Sequence, residues 1–314
     1  MYKAEKIHWD DNSPINVKVR KIDYIAPHIH ENTVEITMCL VGEIKFSYYF
    51  EEFTLKPGDF ILVDHDTHYM YDGKDAVCVS YYLNLDYFEK EFPFIKNLLF
   101  VCENTADSSI PYNTYKHKHL KGVLLAILLF MLQHPEKDHE YIKKMNEAAG
   151  KIMEVVMEHF DIIFFYNPQL QISEKAFDRW RKITDYLFTH FTEDISIKNI
   201  SAEFGMSEAY TTEFVSKYTL GFRQMLAYVR MCHAEKLLLY SDMSIMEVSE
   251  ACNFSDPKYL YKTFRYWYDC TPTQFRKQYL NEMNKENMAA DLDIGDLLDP
   301  VTEMTKKHFI DLLL

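Results

Sequence analysis

Residues 253–276, NFSDPKYLYKTFRYWYDCTPTQFR, set lysines and an arginine among tyrosines in a chain whose formal net charge is −14. Between Pro257 and Tyr268 the apolar Leu260, Phe264 and Trp267 stand at i, i+4 and i+7, which predicts a helix with one buried stripe. Lys258, Tyr261, Lys262 and Arg265 then share the opposite face, with Tyr259 beside them. Pro257 suits the first turn, where its missing N–H costs nothing. Such a face can neutralise phosphates and reach base edges in a major groove about 12 Å wide. No nucleophile–base pair, Walker loop or GxGxxG occurs in the chain, so composition and motif point to binding and away from catalysis.

The acidic total does not oppose this. Residues 1–170 hold 17 Lys+Arg against 26 Asp+Glu and residues 286–314 hold 2 against 7, whereas residues 171–285 hold 15 against 15. Recognition depends on which face carries the cations, and the sum is silent on that.

The elements that must carry the basic face repeat. SIKNISAEFGMS (196–207) aligns with SIMEVSEACNFS (244–255) at an offset of 48, and duplication is the first organisation to look for. In each copy Ser196 or Ser244 is a predicted N-cap. Ile197, Ile200 and Phe204, or Ile245, Val248 and Cys252, form an apolar face. Ser201 or Ser249 lets a second helix approach closely. Gly205 or Asn253 supplies a left-handed turn. Each copy therefore reads as a helix-turn-helix, and GFRQMLAYVRMCHAEKLLLY (221–240) as the helix joining them, with Phe222, Leu226, Val229, Ala234, Leu237 and Leu238 turned inward. At 1.5 Å per residue this linker spans roughly 30 Å, near the ~34 Å of one DNA turn.

Here the sequence resembles AraC-type bacterial transcription regulators over about residues 178–280. The resemblance rests on Arg230 and Ala234, Ile245 and Val248, Phe254 and Ser255, Phe264, Thr271-Pro272 and Phe275-Arg276. It implies an all-α DNA-binding domain of two helix-turn-helix units joined to an effector-binding or dimerisation domain, with double-stranded DNA, a small-molecule effector and RNA polymerase as partners. Thr219 and Asp269 stand where such proteins usually have glycine after each reading helix. Asp tolerates a left-handed cap and β-branched Thr does not, so the first exit turn is expected to be rebuilt. The first reading helix is also one residue short, and it carries Glu208 and Glu213 with Lys217 as its cation. Ser207, Thr211 and Thr212 are its expected base contacts, and the second unit is expected to supply more phosphate attraction.

From Ile15 to about Leu85, short β-branched and aromatic runs alternate with Gly42, Pro57-Gly58 and Asp72-Gly73, the pattern of an antiparallel sandwich or barrel. PHIHENTVEITMCLVG resembles the first cupin motif. In metal-dependent cupins the positions matching His28, His30 and Glu35, with a histidine from a second motif, here His68 in KPGDFILVDHDTHYM, hold a divalent ion. The second motif lacks the expected Pro and Gly, so no metal or other cofactor is expected. An effector pocket lined by His28, His30, Glu35, Tyr48, His68 and Tyr69 is the leading reading. A metal-dependent cupin isomerase or dioxygenase, and a barrel that only dimerises, stand as alternatives.

The fold expected is thus α+β. A cupin-like antiparallel β-barrel (1–110) leads into helices (111–170) forming a connector or a dimer seam. The tandem helix-turn-helix domain (171–285) and an acidic extension (286–314) complete it. In the connector Ile142, Met145, Ala149, Ile152, Val156, Phe160 and Ile163 form one stripe. Six cysteines without a CxxC pair predict reduced thiols and a cytoplasmic protein. The longest apolar run, 123–132, is short of the roughly 18 residues of a membrane span.

Overall fold

The structure, a computed structural model, describes residues 6–9, 13–48, 51–101, 115–161, 171–219 and 221–313. It divides into two compact units, one of residues 4–161 together with 285–314 and one of residues 162–284.

In the first unit β1 (Ile15–His28), β2 (Thr33–Tyr48), β3 (Glu51–Leu55), β4 (Phe60–Val63) and β5 (Tyr69–Asn84) form an antiparallel sheet, followed by a short α1 (Leu85–Phe88). Its order is β3-β2-β5-β1-β6, with β4 also on β2 and β6 (Met288–Asp291) supplied from the far end of the chain. The long strands shift register at 39–43 in β2 and at 22–28 in β1, and such bulges bend a strand and curl a sheet. Gly42 serves the first of these, with φ +73 and a Cβ position only 3.1 Å from the Asp75 carbonyl.

Strand alternation sends two sets of side chains to opposite faces. Val34, Ile36, Met38, Leu40, Val79, Tyr81 and Leu83 face α2 (Tyr115–Gln133) and α3 (His139–His159) in one core. Ile22, Ile25, Cys39, Ile44, Phe46, Ile61, Tyr71 and Cys78 line the inner, curled face. The barrel is thus a six-stranded sheet wrapped on its own interior. Among the described residues its two end strands do not pair with each other.

The helices expected to form a separate connector share this first core. Met145, Ala149, Ile152, Val156 and Phe160 are all buried in it, Ile142 is 49 % exposed, and Ile163 lies outside the described residues. That stripe is therefore largely occupied within the chain. The acidic extension is likewise part of the unit. β6 pairs with Arg20–Tyr24 of β1, and α11 (Leu298–Leu313) buries Val301 against the same core, while Leu297 is buried just before it. Four backbone pairs and a few apolar side chains accomplish this docking.

The second unit is all α: α4 (Glu174–His190), α5 (Ile197–Glu203), α6 (Glu208–Tyr218), α7 (Phe222–Tyr240), α8 (Ile245–Ala251), α9 (Pro257–Tyr268) and α10 (Pro272–Glu282). Ser196 and Ser244 close capping boxes with Asn199 and Glu247, satisfying N–H groups that a helix start leaves open. Gly205 (φ +61) and Asn253 (φ +55) make the two left-handed turns. The exits differ as expected: Asp269 is left-handed at φ +50, whereas Thr219 is extended and Gly221 takes φ +99 two residues later. Among the described residues no helix is long and apolar enough to cross a membrane. The five described cysteines are free thiols.

Candidate functional site

The duplication extends to contacts that the sequence did not announce. Arg230 of α7 donates from Nε to the Phe191 carbonyl and from Nη2 to that of Glu193, both at 2.9 Å. Arg276 of α10 does the same for Leu238 and Met243, both at 2.7 Å. Each guanidinium ties down the chain between the preceding helix and the first helix of a unit. Cations satisfy orphan carbonyls at such helix ends well. Tyr268 donates to Glu235 at 2.6 Å inside the second unit, fixing α9 on α7.

On α9, Leu260, Thr263, Phe264 and Tyr268 are buried. Trp267, expected in this stripe, is only half-buried and packs edge-on against Tyr228 at 4.8 Å. Lys258, Lys262 and Arg265 are exposed, as are Tyr259 and Tyr266. Tyr261 is half-buried, its hydroxyl 3.4 Å from Thr273. Among the described residues no ion pair engages the three cations, so their charge is directed at solvent.

On α6 the expected contacts divide. Ser207 is the N-cap, accepting from Tyr210, and is exposed; Thr212 and Lys217 are exposed too. Thr211 is fully buried, donating to the Ser207 carbonyl at 3.0 Å and accepting from Ser201 at 2.8 Å. It is a bridge between α5 and α6 and cannot meet a base. The i+4 spacing from Ser207 carried that signal: Thr211, Phe214, Val215 and Tyr218 make the buried face.

In the first unit, His28, His30 and Glu35 come together, their ligand-capable atoms all within 4.8 Å of one another, and all three are buried. His68 is also buried but is not one of that group. Both Glu35 oxygens are already engaged. Oε2 accepts from the Tyr69 hydroxyl and lies 3.2 Å from His30 Nε2; Oε1 accepts from Thr37 at 2.5 Å and Tyr71 at 3.2 Å. Thr37 also bonds Ser80 at 2.7 Å, and Arg20 donates to Tyr82 at 2.7 Å. The side chain of Tyr48 lies outside the described residues.

Burial alone would raise the Glu35 carboxyl, but its bond to His30 and the charges of His30, Arg20 and His28 hold it well below the usual carboxylate range. Burial, with His30 adjacent, lowers His28 to about 4. Tyr69 and Tyr71 are pushed well up by burial and then by the neighbouring carboxylate. Both oxygens of this carboxylate are engaged by protein groups, so a divalent ion here would have to replace His30 or Tyr69 as a partner of Oε2. Arg20, Thr37, Ser80 and Tyr82 were not singled out from sequence. Their signal was polar residues at alternate positions of otherwise apolar strands.

Residues 200–278 match a family profile described as a helix-turn-helix domain. An uncharacterized HTH-type transcriptional regulator of Staphylococcus aureus (strain MRSA252) is 23% identical over 264 residues, covering 81% of this chain and 33% of that protein. One of Escherichia coli (strain K12) is 26% identical over 119 residues, covering 38% of this chain and 42% of that protein. The chain thus spans about a third of the length of the first curated relatives it matches. Among solved structures, ToxT from Vibrio cholerae O395 superposes with a TM-score of 0.42 at 14% identity, covering 85% of this chain and 98% of that one.

Proposed function

We propose that the chain, whose residues 200–278 match a helix-turn-helix family profile, is a sequence-specific DNA-binding transcription regulator of the AraC type and not an enzyme. The observation that carries this reading is the exposed trio Lys258, Lys262 and Arg265 on α9, held on a helix-turn-helix whose far side is buried. α7, with 19 residues and a length of about 28 Å, suits reading helices entering successive major grooves.

The regulator acts in the cytoplasm as a homodimer, meets RNA polymerase at a promoter, and responds to a small molecule, a sugar being one class, taken into the curled sheet near His28, His30, Glu35, His68 and Tyr69. The polar cluster of Glu35, Arg20, Tyr69, Tyr71 and Tyr82 supports this part: a few fixed polar groups in an apolar interior are what orient a small ligand.

The test is selection of bound duplexes from a random pool, then gel-shift titration of Lys262→Ala and Arg265→Ala over a salt series. Each substitution is expected to weaken binding across sequences and to lower the slope of log K against log salt by about 1. Equal titrations for wild type and both variants would refute the assignment. Thermal shifts with sugars and other small metabolites test the sensing part, because a ligand of the folded state raises apparent stability.

A further inference from the structure

The two reading helices can be superimposed by counting from their N-caps, Ser207 and Asp256. Thr211, Phe214 and Val215 then fill the buried positions of Leu260, Thr263 and Phe264. On the outward face Ala209 takes the place of Lys258, Thr212 that of Tyr261, Glu213 that of Lys262 and Ser216 that of Arg265. All four of the α6 residues are exposed. The same surface that is cationic on α9 therefore lacks a cation on α6 and carries one carboxylate at its centre. Glu213 has no ion pair with Lys217 or any other described residue.

A carboxylate there is expensive. Duplex DNA carries one phosphate charge per about 1.7 Å, so an anion entering the groove opposes binding unless it accepts hydrogen bonds that repay the repulsion. In the major groove the donors are the amino groups of cytosine and adenine, and a carboxylate pairs with cytosine N4. Ala209 on the same face is apolar, the complement of a thymine methyl. Lys and Arg on α9 complement guanine O6 and N7.

We infer that Glu213 is a specificity-determining residue of the first reading helix, accepting a hydrogen bond from the N4 amino group of a cytosine in the half-site that α6 reads. The inference rests on the DNA-binding reading proposed above. It makes the two half-sites chemically unlike: a pyrimidine-selective one read by a carboxylate and a methyl, and a guanine-selective one read by cations.

The test is selection of duplexes by the full chain and by Glu213→Ala and Glu213→Gln, followed by titration of single-base variants of the selected site. Glu213 is exposed and unpaired, so neither substitution disturbs the fold, and circular dichroism checks this. Wild type is expected to favour cytosine at one position by roughly 5- to 150-fold. Glu213→Ala should level that position and no other. Glu213→Gln should shift it to adenine, whose N6 and N7 match an amide.

A selected site with no position altered by either substitution overturns the inference. So does a Glu213→Ala variant that binds every duplex more tightly by one common factor, since Glu213 would then be repulsive only. Failure of the wild-type chain to select any site would instead refute the DNA-binding reading itself, and the inference with it.

Discussion

Acid should unfold the first unit through its neutral buried histidines, and His117 gives the cleanest measurement. It lies on α2 with 3 % of its surface exposed, 5.4 Å from the Phe160 ring and 6.2 Å from that of Phe60. Burial, with Lys116 adding to it, lowers its pKa from 6.5 to about 4. The folded state thus binds the proton less readily than the unfolded chain does, so this contribution to stability is present above pH 6.5 and is lost as pH falls towards 4. The full displacement corresponds to about 3 kcal/mol, at 1.36 kcal/mol per pKa unit. Between pH 7.5 and 5.5 the same linkage removes about 1.3 kcal/mol, and His28, also lowered to about 4, removes as much again. Two such groups are a large share of a domain stability of about 5–15 kcal/mol. The assay is urea unfolding of the full chain equilibrated at each pH, read by a deuterium pulse under one fixed condition in peptides from β5 and α2. In His117→Phe the loss of stability over this pH interval should be smaller than in wild type by about 1.3 kcal/mol, whatever the variant does to absolute stability. Equal pH slopes for the two proteins would refute the reasoning.

Two further perturbations follow from the packing. Arg276→Ala and Arg230→Ala each remove a cation that holds two carbonyls and should destabilise the second unit by about 2 kcal/mol; unchanged exchange protection in α7 and α8 would count against this role. Val301→Ala deletes two buried methyl-sized groups from the core beside α2 and should cost about 2 kcal/mol from transfer and cavity together, measured as a lowered urea midpoint for β5 and α2; a loss below about 0.5 kcal/mol would mean that α11 is not packed as described.

Much of the second unit was legible because its signals are local. Ser196, Ser244, Gly205 and Asn253 each act within a few residues of their own position, and the stripe Leu260–Phe264 obeys helical period. Thr211 was misread because a threonine on a short reading helix suits a base contact and a buried bridge equally well; only the i+4 relation to Ser207 distinguishes them. In the first unit the cluster of His28, His30 and Glu35 was visible, being close in sequence. Tyr69 was read into the same pocket, but Arg20, Thr37, Ser80 and Tyr82 were not. They reach the same spot through strand register, and register is a long-range property fixed by the folded sheet. The pairing of β6 with β1 was hidden for the same reason. Nothing in ENMAADLDIG reports that the missing neighbour of β1 is a strand made 260 residues later.

That late strand gives the molecule an order of assembly. A chain emerging from the ribosome completes domains from its N-terminus as each becomes available. Here the edge of β1 and the ground beneath Val301 stay bare until both reading heads have been translated. The N-terminal unit finishes after the domain that follows it in the sequence, and any nascent or truncated product that stops before β6 offers an open sheet edge, the feature by which β-proteins capture strands from their neighbours.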